Sequence, residues 1–178
     1  MPLDDASAGA TQVQGRTSPS FEPPSIDDGT DLWQLVIDSK TLDVNSRYSY
    51  LLWCRDFAAT SIVARTPEGI GGFITGYRRP DADNTLFVWQ VATATHMRRQ
   101  GLARRMLDHL FARQAPLGVD HVEATVTPDN LPSAGLFESF AKANNATLTR
   151  DELFTEEMLG KGHEPEVRFR IGPISRTA

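Results

Sequence analysis

The sequence holds a single cysteine, Cys54, among its 178 residues. No disulfide can therefore form within the chain, and neither a cystine-stapled scaffold nor a cysteine-rich zinc site is open to it. It has no run of about eighteen apolar residues, which a membrane-spanning helix needs, and its N-terminus lacks the basic-then-apolar order of a secretory signal. Basic residues are not in excess: 18 Lys and Arg stand against 23 Asp and Glu, for a net charge of -5. That balance excludes a general binder of nucleic acid or anionic membrane. There is no Gly-Lys-Ser or Gly-Lys-Thr to end a Walker loop and no Gly-x-Gly-x-x-Gly, which disfavours a nucleotide triphosphatase and a Rossmann dehydrogenase. His96, His109 and His121 lack a spacing that pairs metal ligands, so no metal is expected. These absences predict a soluble, unexported protein of the reducing cytoplasm. Cys54, among Leu51, Leu52 and Trp53, reads as a buried structural thiol.

What is present starts beyond residue 20. Residues 1–20 are small and polar, too poor in apolar groups to offset the entropy of ordering them, and are expected to form a mobile tail. From residue 21 to 175 no second linker of that composition intervenes, and the length suits one domain with a sizeable core. Leu32, Leu35 and Val36 recur at helical spacing, with Asp27, Asp28 or Thr30 available to cap the helix. Residues 46–57 suit a second helix with Tyr48, Leu51, Leu52 and Arg55 on one face, though the aromatic density also suits a strand. Three β segments follow, 61–65, 71–78 and 86–93, separated by Pro67-Glu68-Gly69 and by the turn-forming stretch 80–84, which predicts an antiparallel meander.

The most informative stretch comes next. Leu102, Ala103, Met106, Leu107, Leu110 and Phe111 form one face of a helix reaching about residue 115, so Gln100 and Gly101 stand at its first turn. A strand, a glycine turn and a helix N-terminus make a compact anion site, because unpaired amides and the helix dipole both favour negative charge. Gly101 permits a backbone conformation that a side chain would obstruct, and Arg98, Arg99 and Arg104 can add charge-assisted bonds. A strand over 119–127, a helix opened by Asn130 and Pro132 and carrying Leu136, Phe137 and Phe140, and strands near 147–153 and 166–171 complete an α+β pattern.

Arg98-Arg99-Gln100-Gly101-Leu102-Ala103 resembles the Arg/Gln-x-x-Gly-x-Gly/Ala loop of the GCN5-related N-acetyltransferases. The order around it, strand, loop-helix, strand and an Asn-opened helix, is similar to that family as well. The resemblance implies a mixed, mostly antiparallel sheet with a splayed strand pair and helices on both faces. It also implies acetyl-CoA as co-substrate, its pyrophosphate on the loop amides and its arm between the splayed strands. By that resemblance the cofactor contacts are Val91, Ala92, Thr93, Arg98, Arg99, Gln100, Gly101, Leu102, Ala103, Arg104, Asn130, Ser133 and Phe137. The segments 21–24, 42–50, 87–91 and 127–130 further resemble the branch of the family that acetylates L-2,4-diaminobutyrate on its γ-amine in ectoine synthesis, which implies a small diamine substrate and a homodimer. Another small-amine or antibiotic acetyltransferase, and a non-catalytic acyl-CoA sensor, remain alternative readings.

Transfer to an amine requires the neutral amine, whereas an aliphatic amine is mostly protonated near pH 7, so a proton acceptor is needed. Glu123, on the strand beside the cofactor strand, is the expected base, directly or through water. Many such enzymes carry a tyrosine after the Asn to protonate the departing thiolate; here Phe137 stands in that neighbourhood, leaving solvent, Tyr48 or His163. A zwitterionic α-carbon suits Asp43 with Asn45 for its ammonium, Tyr48 and Trp89 as walls for the short chain, and Arg47 or backbone amides for its carboxylate; the resemblance assigns Asp43, Tyr48, Trp89, Glu123 and His163 to the substrate. Plainer roles compete: Asp43 as a helix cap, Tyr48 and Trp89 as core or interface aromatics, Glu123 as a solvated strand position and His163 as a loop side chain.

Overall fold

The computed structural model describes residues 18–40 and 42–175. Of the expected tail, residues 1–17 lie outside the described residues, whereas Ser20 already opens a strand. The strands are β1 (Ser20–Glu22), β2 (Ile62–Thr66), β3 (Gly69–Arg79), β4 (Ala82–Thr93), β5 (His121–Val126), β6 (Leu148–Phe154) and β7 (Glu166–Ile171). The helices are α1 (Gly29–Ser39), α2 (Arg47–Asp56), α3 (Leu102–Gln114), α4 (Leu131–Ala143) and the short α5 (Glu156–Leu159). All seven strands join one sheet in the order β1-β2-β3-β4-β5-β7-β6. Its parallel pair is β4 with β5, and α3 supplies the crossover that a parallel connection needs. The β2–β3–β4 meander is antiparallel as its turn residues predict, but the second hairpin is tighter: pairing is resumed at Ala82, so 82–84 are strand rather than loop.

The two faces of the sheet are packed differently. Leu102, Met106, Leu107 and Leu110 of α3 and Phe137 and Phe140 of α4 bury a continuous apolar layer against Ile62, Ile74, Leu86, Val88, Val122 and Phe169. Each such side chain withdrawn from water contributes about 1.5–3 kcal/mol before entropy is charged. The opposite face is covered by α1 and α2, with a smaller cluster of Leu32, Val36, Tyr50, Cys54, Val63, Phe73 and Ala92. Burial pushes the Cys54 thiol up to about 12, as befits an inert core cysteine. No helix among the described residues is long and apolar enough to cross a membrane.

Two local details differ from the sequence reading. Residues 47–56 are helical, but the side turned inward is that of Tyr50 and Cys54, while Tyr48 is 67% exposed. The close approach of Gly29 to Leu51, where an added Cβ would come within 2.8 Å of Leu51 Cδ2, sets that rotation. The cap of α2 is Ser46, whose side chain accepts from the Ser49 amide, so Asp43 is not the cap. Asp28 precedes α1 without capping it through its side chain. Its carboxylate instead accepts from the Ser25 amide at 2.6 Å and from both Arg65 Nη atoms at 2.9 and 2.8 Å. Burial alone would raise the Asp28 pKa, but the hydrogen bonds from Arg65 and Ser25 outweigh it and hold the carboxyl below its ordinary value. That bidentate pair fastens the start of α1 to β2.

Candidate active site

Gly101 adopts φ 71°, in the left-handed region that side chains disfavour, and no atom lies within 4 Å of where its Cβ would stand. The glycine therefore serves a backbone turn rather than a packing contact. Arg99, two residues earlier, is also left-handed at φ 59°, an uncommon state for a residue with a side chain. The helical ladder of α3 closes first with the Arg105 amide on the Gly101 carbonyl at 3.1 Å. Gly101 has no side chain to cap the turn, so the amides of Leu102, Ala103 and Arg104 head the helix without intrahelical partners. They open on a cavity of about 280 Å³ lined by Thr93, Met97, Arg98, Arg99, Gly101, Leu102, Ala103, Arg104, Gly135, Leu136 and Ser139. The α4 wall, Gly135, Leu136 and Ser139, was missed by sequence reasoning, because nothing local signals which turn of a distant helix faces a loop.

The remaining cofactor candidates lie outside the lining of this cavity. Gln100 turns its side chain back to donate to the His96 carbonyl at 2.7 Å. Asn130 Oδ1 accepts from the Ser133 amide at 3.2 Å and caps α4, leaving its amide nitrogen as the group suited to donate to a guest. Phe137 and Ala92 are buried in the core layers, on opposite faces of the sheet. Arg98 donates to the Ser39 carbonyl, and Arg104 is held by Asp108 at 2.9 Å over the Phe140 ring.

Pairing between β4 and β5 runs only from Thr85–His121 to Val88–Ala124. Beyond it the strands part: Gln90–Thr93 keep β3 alone as a partner, and Thr125–Val126 keep β7. This splay leaves one backbone edge of β4, including Val91 and Thr93, open beside the α3 cavity. It begins at a β-bulge, for Thr75 pairs with Gln90 and Gly76 with Val88, so Trp89 is the extra residue. Only glycine fits opposite, since a Cβ on Gly76 would lie 2.6 Å from the Phe87 carbonyl. The insertion turns Trp89 and Gln90 to the same face. Trp89 stacks on Trp53 at 4.7 Å between ring centres, and Gln90 Oε1 accepts from the buried Tyr50 hydroxyl at 3.0 Å.

Around that point the structure gathers Asp43, Asn45 and Trp89. Gln90 Nε2 donates to the Asp43 carbonyl at 3.2 Å, and Asn45 hydrogen-bonds Tyr50, whose hydroxyl is pushed up by burial against those hydrogen bonds. Tyr50, Trp53 and Gln90 were not foreseen. Tyr48 lies exposed at the first turn of α2.

Glu123 is not a solvated strand position: it is 2% exposed. It pairs with Phe87, two residues before Trp89. Arg79 Nη1 donates to both of its oxygens at 3.2 and 3.3 Å, and Arg170 Nη1 donates to Oε2 at 3.2 Å. A substrate amine could touch this carboxylate directly only by displacing a guanidinium, so a water path suits the geometry better than direct contact. His163 is exposed in the turn after α5. The neighbouring Glu164 hydrogen-bonds Asp129, which brings that turn beside the loop that ends in Asn130. The bond raises the Glu164 pKa; with the Thr127 hydroxyl it lowers that of Asp129.

A family model described as "Acetyltransferase (GNAT) family" matches residues 30–141. The chain is 52% identical over 158 residues to the L-2,4-diaminobutyric acid acetyltransferase of Streptomyces coelicolor, covering 87% of this chain and 93% of that protein. It is 41% identical over 157 residues to the protein of that name from Marinococcus halophilus, covering 88% and 91%. Among solved structures it is similar to diaminobutyrate acetyltransferase EctA from Paenibacillus lautus in complex with its substrate L-2,4-diaminobutyric acid and coenzyme A. That match has a TM-score of 0.85 and 38% identity over 92% of this chain and 99% of the other.

Proposed function

The chain belongs to the acetyltransferase (GNAT) family, and from that premise we propose that it moves the acetyl group of acetyl-CoA to the γ-amine of L-2,4-diaminobutyrate, giving N4-acetyl-L-2,4-diaminobutyrate in ectoine synthesis. The observation that carries the reading is the continuity of two open backbone surfaces: the uncapped N-terminus of α3 behind Gly101 and the unpaired edge of β4 from Trp89 to Thr93. The first suits a diphosphate and the second an extended amide-bearing arm. Bound acetyl-CoA supplies an activated thioester.

The chain's own residues then have four tasks. Amides 102–104, helped by Arg98, Arg99 and Arg104, hold the diphosphate, and Asn130 Nδ2 steadies the arm. Asp43 and Asn45 take the α-ammonium, while Trp89, braced by Trp53, and Tyr48 wall the short aliphatic chain. Glu123, fixed between Arg79 and Arg170, accepts the γ-ammonium proton through water. Phe137 is buried and has no proton to give, so the thiolate is protonated from Tyr48, His163 or solvent, all on the exposed side. Residues 21–175 act as one catalytic unit in the cytoplasm, as a homodimer.

The test is acetyl transfer by the purified chain under saturating acetyl-CoA, with diaminobutyrate competing against other small amines and the product's regiochemistry read by NMR. N4-acetylation of diaminobutyrate as the preferred reaction is expected. Acetylation at the α-nitrogen, or clear preference for another amine, would reject it.

A further inference from the structure

Gln90 is 8% exposed, and its side chain serves neither of the strands beside it. One end accepts from the Tyr50 hydroxyl of α2 at 3.0 Å; the other donates to the Asp43 carbonyl, in the loop entering α2, at 3.2 Å. For packing alone an apolar side chain would suffice, as Ala92 does two residues on beneath the same helices. A buried carboxamide instead costs rotamer freedom and must have its polar atoms paired. Polarity continues next to it: Thr75, paired with Gln90 across the ladder, is fully buried with no hydrogen-bond partner for its hydroxyl.

Gln90 stands where the β4 bulge ends and the unpaired edge begins, so one side chain joins the strand that offers the donor surface to the loop that bears Asp43 and Asn45. We propose that Gln90 is a positioning residue that sets the distance between the diamine-binding loop and the thioester strand. It touches neither substrate; it holds the Asp43 carbonyl, and with it the stance of Asp43 and Asn45, in register with Trp89. This rests on the assignment of Asp43 and Asn45 to the diamine made above.

Gln90→Met keeps the volume and removes both bonds, and Tyr50→Phe removes one of them together with the Tyr50 bond to Asn45. Under saturating acetyl-CoA, the KM for L-2,4-diaminobutyrate should rise about tenfold in Gln90→Met and severalfold in Tyr50→Phe, the scale of one or two lost buried hydrogen bonds. Calorimetric affinity for acetyl-CoA and kcat should stay within about twofold, a split that a merely destabilised core would not give. The double variant should fall short of the product of the two single effects, because the Tyr50–Gln90 bond is counted in both. An unmoved diamine KM in Gln90→Met overturns the proposal, and so does a parallel loss of acetyl-CoA affinity. If Gln90→Met does not fold, Gln90→Leu decides by the same criteria. A wild-type chain that turns over no diaminobutyrate overturns the proposed function and this inference together, whereas an active wild type with unmoved KM values overturns the inference alone.

Discussion

The turn into α3 and the loop into α2 both deliver a helix beside β4, yet they finish its N-terminus in opposite ways. Ser46 caps α2 with its own hydroxyl, taking the Ser49 amide, so that helix is satisfied within the chain. Gly101 offers α3 no cap, and the leading amides face a cavity instead. Glycine in place of a capping side chain costs a helix about a few tenths of a kcal/mol, a cost that makes sense where a guest's anion completes the turn. The capped entry, in contrast, serves as a rigid mount for side chains: Asp43 and Asn45 before it, Tyr50 and Trp53 along it. The donor substrate is thus met mainly by backbone and the acceptor mainly by side chains.

Four substitutions would break or sharpen this contrast. The largest effect is expected on the acceptor side, where Glu123→Gln should lower kcat at pH 7 by about a hundredfold, the reach of general-base catalysis. The deficit should narrow as pH rises toward the amine's own pKa of about 10, because the substrate then sheds its proton unaided. A pH–rate profile parallel to wild type would remove Glu123 from the proton path. Gly101→Val should next cost acetyl-CoA about five- to thirtyfold in calorimetric affinity, since a β-branched residue penalises the left-handed turn by about 1–2 kcal/mol. A thermal midpoint that falls as steeply as the affinity would show that the turn serves folding. Ser46→Ala should destabilise the chain by about 1 kcal/mol in denaturant unfolding and raise the diamine KM severalfold, with acetyl-CoA binding unchanged. Gly135→Ala is the mildest. It should stabilise α4 by about 0.5–1 kcal/mol, through propensity, while weakening acetyl-CoA severalfold by placing a methyl group in open space on the cavity wall. Unchanged affinity would place the arm elsewhere.

The same contrast explains which parts could be read in advance. The α3 entry is local: strand, glycine and apolar helix face lie within about thirty residues, and short-range patterns specify them. β7 falls where the alternation predicts, over Glu166–Ile171. The acceptor side is built from distant pieces. Tyr50 meets Gln90 across 40 positions, and Glu123 meets Arg79 and Arg170 across 44 and 47. Nothing near Glu123 in the sequence announces two guanidiniums, so its alternation with apolar neighbours suggested exposure. The helix over 47–56 has aromatic and aliphatic groups on several sides, and only contact with Gly29 and the sheet decides which side turns in.

The extra residue at Trp89 has a consequence for parity along β4. Before it, Phe87 and Trp89 share the α2 side with Tyr77 and Trp53; after it, Gln90 and Ala92 do, so odd positions yield to even ones midway along a single strand. Straightening the bulge without removing a residue would restore strict alternation and swing Val91 beneath α2 in place of the carboxamide. Any graft or redesign of this strand must therefore keep the bulge and its residue count together, because losing one without the other would exchange the two chambers' linings while leaving the composition almost untouched.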